Sequence, residues 1–157
     1  MKLSTKEDIE APVSFVYAAL SDFEAWERAA LRRGADVSSV AKGAKAAPGM
    51  GWKVAFPYRG KQRRVEITLA KLLEQQELNF DAVSAPLNGS LVIELAEMGP
   101  KRTRVSVAST FKPNTLAARL FIQSLRLAKA KLSRRFELRV AQLAADIEDR
   151  YRAQIKR

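Results

Sequence analysis

Between Trp52 and Phe111 five successive runs place an apolar or aromatic residue at every second position, and one long helical pattern follows them. Trp52, Val54, Phe56 and Tyr58 open the series. Val65, Ile67 and Leu69 follow, then Leu78, Phe80 and Ala82, then Leu91, Ile93 and Leu95, and finally Val105, Val107, Ser109 and Phe111. A period of two makes each run a strand with one face buried. The interleaved residues are mostly polar, the pattern of antiparallel strands covered on one side only. The connections, among them Arg59-Gly60-Lys61-Gln62 and Gly99-Pro100-Lys101, are too short for parallel crossovers, so the strands form a meander.

Such a sheet must bury its apolar face against another element, and the sequence offers one of sufficient length. From Asn114, the expected N-cap, to about Tyr151, a stripe steps by threes and fours through Phe121, Leu125, Ala128, Leu132, Phe136, Val140, Leu143, Ile147 and Tyr151. An unbroken helix of that span would be roughly 57 Å long. Upstream, residues 2–10 read as a first strand with Leu3, Thr5, Glu7 and Ile9 on one face. Pro12 opens a short helix through Val13, Val16, Tyr17 and Leu20. Ser21 or Asp22 caps a second, carrying Phe23, Trp26, Ala30 and Leu31 and ended by Gly34. Residues 35–41 form a weakly signalled strand, and 42–51 a Gly-rich loop without the order of a phosphate-binding loop. The expected architecture is α+β: a strongly curved antiparallel sheet of six or seven strands packed on a long C-terminal helix, as a single domain over residues 1–157.

Composition restricts the chemistry. The chain has no cysteine and no histidine, so thiolate nucleophiles, Ser-His-Asp triads and sulfur or imidazole metal sites are excluded. No acidic cluster has calcium-loop spacing, and neither a metal nor a cofactor is expected. The N-terminal residues contain no apolar run of the signal-peptide kind, and no segment approaches a membrane span. The cytoplasm is the expected compartment. Charge is unevenly placed: residues 1–100 hold 13 Lys/Arg and 13 Asp/Glu, whereas residues 101–157 hold 15 and 4, so the net charge of +11 lies wholly in the last third. Without a helix-turn-helix, zinc finger or stacking motif beside it, this charge does not indicate nucleic acid.

Several residues carry functional expectations. Glu7 shares the inner face of the first strand, where a carboxylate needs a partner, anchors a ligand or serves as acid or base. Ser109 is a hydroxyl on the inner face of the last strand. Tyr58 is a donor near the end of its strand, and an enzyme built here would have to use Glu7, Tyr58, Asp81, a Lys or an Arg. Arg59, Lys61, Arg63 and Arg64 crowd one hairpin, either as a solvated tip or as a gate for an acidic head group. On the far side of the C-terminal helix, Leu116, Leu120 and Leu127 lie with Arg119, Lys131 and Arg134. They are either covered by a loop or form a docking surface for a second copy or an anionic membrane.

Ile9-Glu10-Ala11-Pro12, Val13-Ser14-Phe15-Val16-Tyr17, Leu20-Ser21-Asp22-Phe23-Glu24-Ala25-Trp26, Gly49-Met50-Gly51 and Phe111-Lys112-Pro113-Asn114 together resemble the START-like (SRPBCC, helix-grip, Bet v 1-like) superfamily. The likeness is strongest to its polyketide cyclase/dehydrase branch and covers nearly the whole chain. It implies a cavity between sheet and helix for an apolar small molecule, lipid or polyketide-like. Its implied walls are Trp52, Phe56, Val65, Ile67, Phe80, Leu91, Ile93, Val107, Phe111, Phe121, Leu125 and Leu132. The superfamily spans carriers, receptors, cyclases and proteins that bind only partners. The resemblance therefore leaves three readings: a carrier or sensor, a cyclase-like enzyme working without metal or histidine, and a ligand-free partner-binding protein.

Overall fold

The computed structural model describes residues 1–39 and 46–156. Strand β1 (Lys2–Ile9) leads to helices α1 (Val13–Leu20) and α2 (Phe23–Arg32). The strands β2 (Asp36–Ser39), β3 (Gly51–Tyr58), β4 (Lys61–Leu73), β5 (Glu77–Val83), β6 (Leu87–Gly99) and β7 (Arg102–Pro113) follow. Helices α3 (Leu116–Arg126) and α4 (Lys129–Ile155) end the chain. Residues 40–45, where the expected second strand ends and the Gly-rich loop begins, lie outside the described residues.

All seven strands form one antiparallel sheet in the order β1-β7-β6-β5-β4-β3-β2, a meander closed by the N-terminal strand against the last one. The register brings the expected inner positions opposite one another across the sheet. Leu3, Thr5, Glu7 and Ile9 face Ser109, Val107, Val105 and Thr103. Leu91, Ile93 and Leu95 face the same three residues from Ser109 to Val105 on the other side. Phe80 lies opposite Leu91 and Leu69, Ala82 opposite Ile67, and Ile67 opposite Trp52. A shift between Leu69 and Lys71 brings Leu72 opposite Leu78. Such an irregularity adds local bend.

Local chemistry accounts for the short helices. The Asp22 side chain accepts from the Ala25 amide at 3.2 Å as N-cap of α2. Gly34, at φ +90, ends that helix while the Ala35 amide reaches back to Ala30 O. The core gathers where α1 and α4 meet the sheet: Ile9, Val16, Leu20, Leu78, Ile93, Leu95, Val105, Val107, Val140, Ala144 and Ile147 are buried there together. Fully burying a side chain such as Ile9, Leu20, Leu78 or Ile147 contributes roughly 1.5–3 kcal/mol. Thr103, wholly buried, donates its hydroxyl to Ala11 O at 2.9 Å and ties β7 to the start of α1.

The C-terminal helix departs from expectation. It is not continuous from Asn114 to Tyr151 but breaks at Leu127-Ala128, with Ala128 at φ −108, ψ 22. The ladder tightens before the break, the Leu127 and Ala128 amides reaching only to Ser124 O and Leu125 O. The Ser124 hydroxyl donates to Phe121 O at 2.7 Å, one of the local bonds that compete with a helical ladder. The N-cap is Thr115, whose Oγ1 accepts from the Ala118 amide at 3.0 Å. Asn114 is otherwise engaged: its amide side chain donates to Ser84 O and Asn88 Oδ1, fixing the β5–β6 turn. On α3 the buried residues are Ala118 and Ile122, while Phe121, expected inward, sits at the edge of the buried side.

Candidate functional site

The concave face of the sheet divides into two halves. Beneath α4 it is filled: the space among Ile9, Leu20, Val105, Val140, Leu143, Ala144 and Ile147 amounts to about 10 Å³, room for at most one water. Ile93 and Val107, two of the expected wall residues, belong to this packed half. Toward α3 the same face is different. Phe56, Val65, Ile67, Phe80, Leu91 and Phe111 lie on inner positions, yet each is only half-buried, as are Leu125 and Leu132 on the helices. Phe80 and Leu91 pack against the buried cluster, and the inward apolar side chains that stay partly exposed beyond it mark an apolar trough. Gly89 pairs with Phe111, and a Cβ there would meet that ring at 3.6 Å, an ordinary van der Waals contact.

One flank of the trough is closed by aromatic packing that the sequence did not reveal. Phe23 of α2 meets Trp52 edge-on at 5.1 Å and Phe80 at 6.1 Å. The Trp52 indole N–H donates to Glu27 Oε1 at 2.8 Å, so Trp52 anchors α2 to the sheet and is itself buried. Phe23 follows the capping Asp22 in sequence, but nothing in its spacing indicates a partner on β3.

Polar groups at the trough are few. Ser109 lies on its floor between Leu3 and Leu91, and among the described residues its hydroxyl makes no hydrogen bond. The basic hairpin is resolved into two sets by the register. Arg63 pairs with Phe56 and shares the concave face, half-buried, its Nε donating to Tyr58 O at 3.4 Å. Arg64 pairs with Ala55 and takes the opposite, exposed face. Lys61 is exposed beside the turn. At the tip Arg59 and Gly60 both adopt positive φ, 51 and 75, the geometry of a tight two-residue hairpin. This turn carries the Arg59 guanidinium over the Tyr58 ring at 5.4 Å and, across the open end of the trough, over Phe121 of α3 at 5.2 Å. Phe121 is therefore a rim residue rather than a wall.

Glu7 and Tyr58, the residues an enzyme would have used, are not brought together. They stand on β1 and β3, five places apart in the strand order, and Tyr58 is exposed at the hairpin end. Glu7 lies opposite Val105, next to the packed half, and makes no ion pair among the described residues. The perturbed carboxyl is a different one. Asp8, on the outer face, is held down to about 2 by hydrogen bonds from Arg104 and then Arg102, at 2.8 and 2.9 Å. On that outer face a broad open groove of about 470 Å³ crosses β1, β7 and β6, lined in part by Ser4, Lys6, Val92, Glu94, Ser106 and Ala108.

The fold agrees with comparisons to known proteins. A family model described as polyketide cyclase / dehydrase and lipid transport matches residues 1–148. The chain belongs to this family. The polyketide cyclase/dehydrase and lipid transport family and the fold point to hydrophobic ligand binding or cyclase/dehydrase-like chemistry as the class of function. No curated protein matches the sequence. Among solved structures the chain is similar to the Zhui aromatase/cyclase of Streptomyces sp. R1128, with TM-score 0.66 and 10% identity over 96% of this chain and 94% of that one. It is also similar to a START superfamily protein of Mycobacterium smegmatis, with TM-score 0.57 and 17% identity over 90% and 98%. A third neighbour is a Staphylococcus aureus protein of unknown function, with TM-score 0.63 and 10% identity over 100% and 98%. At such identities the likeness is one of fold. Among the described residues no helix is long and apolar enough to cross a membrane.

Proposed function

We propose that the chain is a carrier or sensor of an apolar small molecule with an acidic head group, held in the trough between β3–β7 and α3. The observation that carries this reading is the half-buried state of Phe56, Val65, Ile67 and Phe111 on inner positions, beyond the buried cluster against which Phe80 and Leu91 pack. Apolar side chains left partly wet on a concave surface gain free energy by taking up an apolar body, and pockets of this kind use few polar anchors. Ser109 supplies one on the floor. Arg63, at the open end, is placed to receive a carboxylate or phosphate in the bidentate manner guanidinium allows. Arg59, resting on Phe121, covers that end. The enzyme reading is not favoured, because among the described residues no acid–base pair converges on the trough.

Leu91 lies mid-trough between Phe80 and Ser109. Substituting Leu91→Trp fills the space at a half-buried residue that borders the buried cluster. Wild-type protein is expected to bind an environment-sensitive fluorescent fatty acid at one site, and the variant to lose that binding while keeping its folded circular dichroism spectrum. Undiminished uptake by Leu91→Trp, or none by the wild type, refutes the assignment.

A further inference from the structure

The break between α3 and α4 leaves an exposed apolar line on the outside of the molecule. On α3, Leu116 and Leu120 are 70% and 57% exposed, and Leu127 at the elbow is 92% exposed. At 3.6 residues per turn these three leucines fall within roughly 40° of one direction, and the buried Ala118 and Ile122 lie on the opposite side. The helix thus has two apolar faces, and only one is used by the fold. Residues 115–136 hold Arg119, Arg126, Lys129, Lys131, Arg134 and Arg135 and not one Asp or Glu. All six cations are exposed, and among the described residues none forms an ion pair; the ion pairs present use Lys71, Arg102, Arg104 and Arg152.

From this we infer that the α3–α4 elbow is a docking surface for an anionic lipid bilayer, with Leu116, Leu120 and Leu127 seated at the acyl boundary and the six cations at the head groups. Charge selects this occupant. A second copy placed face to face would set six unneutralised cations against six of the same sign, whereas a bilayer bearing anionic lipid neutralises them and also takes up the leucines. A nucleic acid would satisfy the cations but leave three leucines against phosphate. The elbow adjoins the open end of the trough through Phe121, neighbour of Leu120 in α3 and partner of Arg59. The surface nevertheless stands on exposure and charge alone, so it can hold even where the ligand assignment fails.

The experiment is flotation of full-length protein with vesicles of phosphatidylcholine alone and of phosphatidylcholine mixed with phosphatidylserine, at low and high salt. Wild type is expected to bind the mixed vesicles roughly tenfold or more tightly than the neutral ones, with the preference shrinking as salt rises. Leu120→Glu/Leu127→Glu is expected to lose at least about tenfold in binding to mixed vesicles. Its circular dichroism and melting should match wild type, because both side chains are exposed. Lys131→Gln/Arg134→Gln should weaken the anionic preference separately. Absence of binding to mixed vesicles at low salt overturns the inference. So does full retention by the leucine variant, which would make the attraction a charge effect without insertion. A concentration-dependent dimer that the leucine variant splits, with no lipid dependence, assigns the surface to a second copy and likewise overturns it.

Discussion

Replacing Arg59 by alanine tests whether the β3–β4 hairpin closes the trough. Of its two ring contacts, the one with Tyr58 lies within the hairpin and does not bridge anything; only the contact with Phe121, at 5.2 Å, spans the open end. A cation over a ring at an exposed site is worth about 0.5–1 kcal/mol. Losing it should raise the population of the open end by a factor of roughly 2–5 at room temperature. Alanine is the right replacement because Arg59 sits at φ +51, where any β-carbon pays the same backbone strain; glycine would relieve that strain and confuse the comparison. A neutral apolar fluorophore isolates the gate, since it has no acidic group for Arg59 or Arg63 to hold. Stopped-flow displacement of that probe is expected to be about 2–5 times faster from Arg59→Ala than from wild type, with an unchanged melting temperature. Phe121→Ala should give the same acceleration, and the double variant should add little to either single one. Equal release rates for wild type and Arg59→Ala would refute the idea that this contact closes the trough.

Two further predictions concern the frame that holds the site. Thr103→Val keeps the shape but removes the donor to the buried Ala11 carbonyl; it should cost about 1–3 kcal/mol and lower the melting temperature by roughly 2–4 °C for each, read by calorimetry. Asp8 keeps its charge down to about pH 2 when folded, against an ordinary value of 3.8, so its contribution is complete above 3.8 and declines as pH falls to about 2; acid titration of Asp8→Asn should lack that part of the stability loss.

The sequence by itself determined the sheet, its inner face and the identity of the element that covers it. Alternation over Trp52–Tyr58, Val65–Leu69, Leu78–Ala82, Leu91–Leu95 and Val105–Phe111 assigned the inner residues correctly, because a period of two leaves one possible face wherever one side is apolar. A cap at Ser21 or Asp22 and termination at Gly34 were legible from local chemistry, and the structure assigns the cap to Asp22. The helix after Asn114 was legible in its existence and not in its continuity. Arg126 to Lys131 contains only good helix formers, so the break at Leu127-Ala128 has no strong local signal beyond the Ser124 hydroxyl. Phase does not require it: at 100° per residue Ala118 and Ile122 would share one face of a straight helix with Val140, Ala144 and Ile147. The tertiary structure alone decided which inward residues are packed and which are left half-wet. Ile93 and Leu91 look alike in the strand pattern, but the first is buried within the core cluster and the second, packed against it, stays half-buried. It also separated Arg63 from Arg64 in surroundings and carried Arg59 to Phe121, more than sixty positions away in the chain, because cation–π contact depends on where a hairpin tip lands and not on any spacing along the sequence.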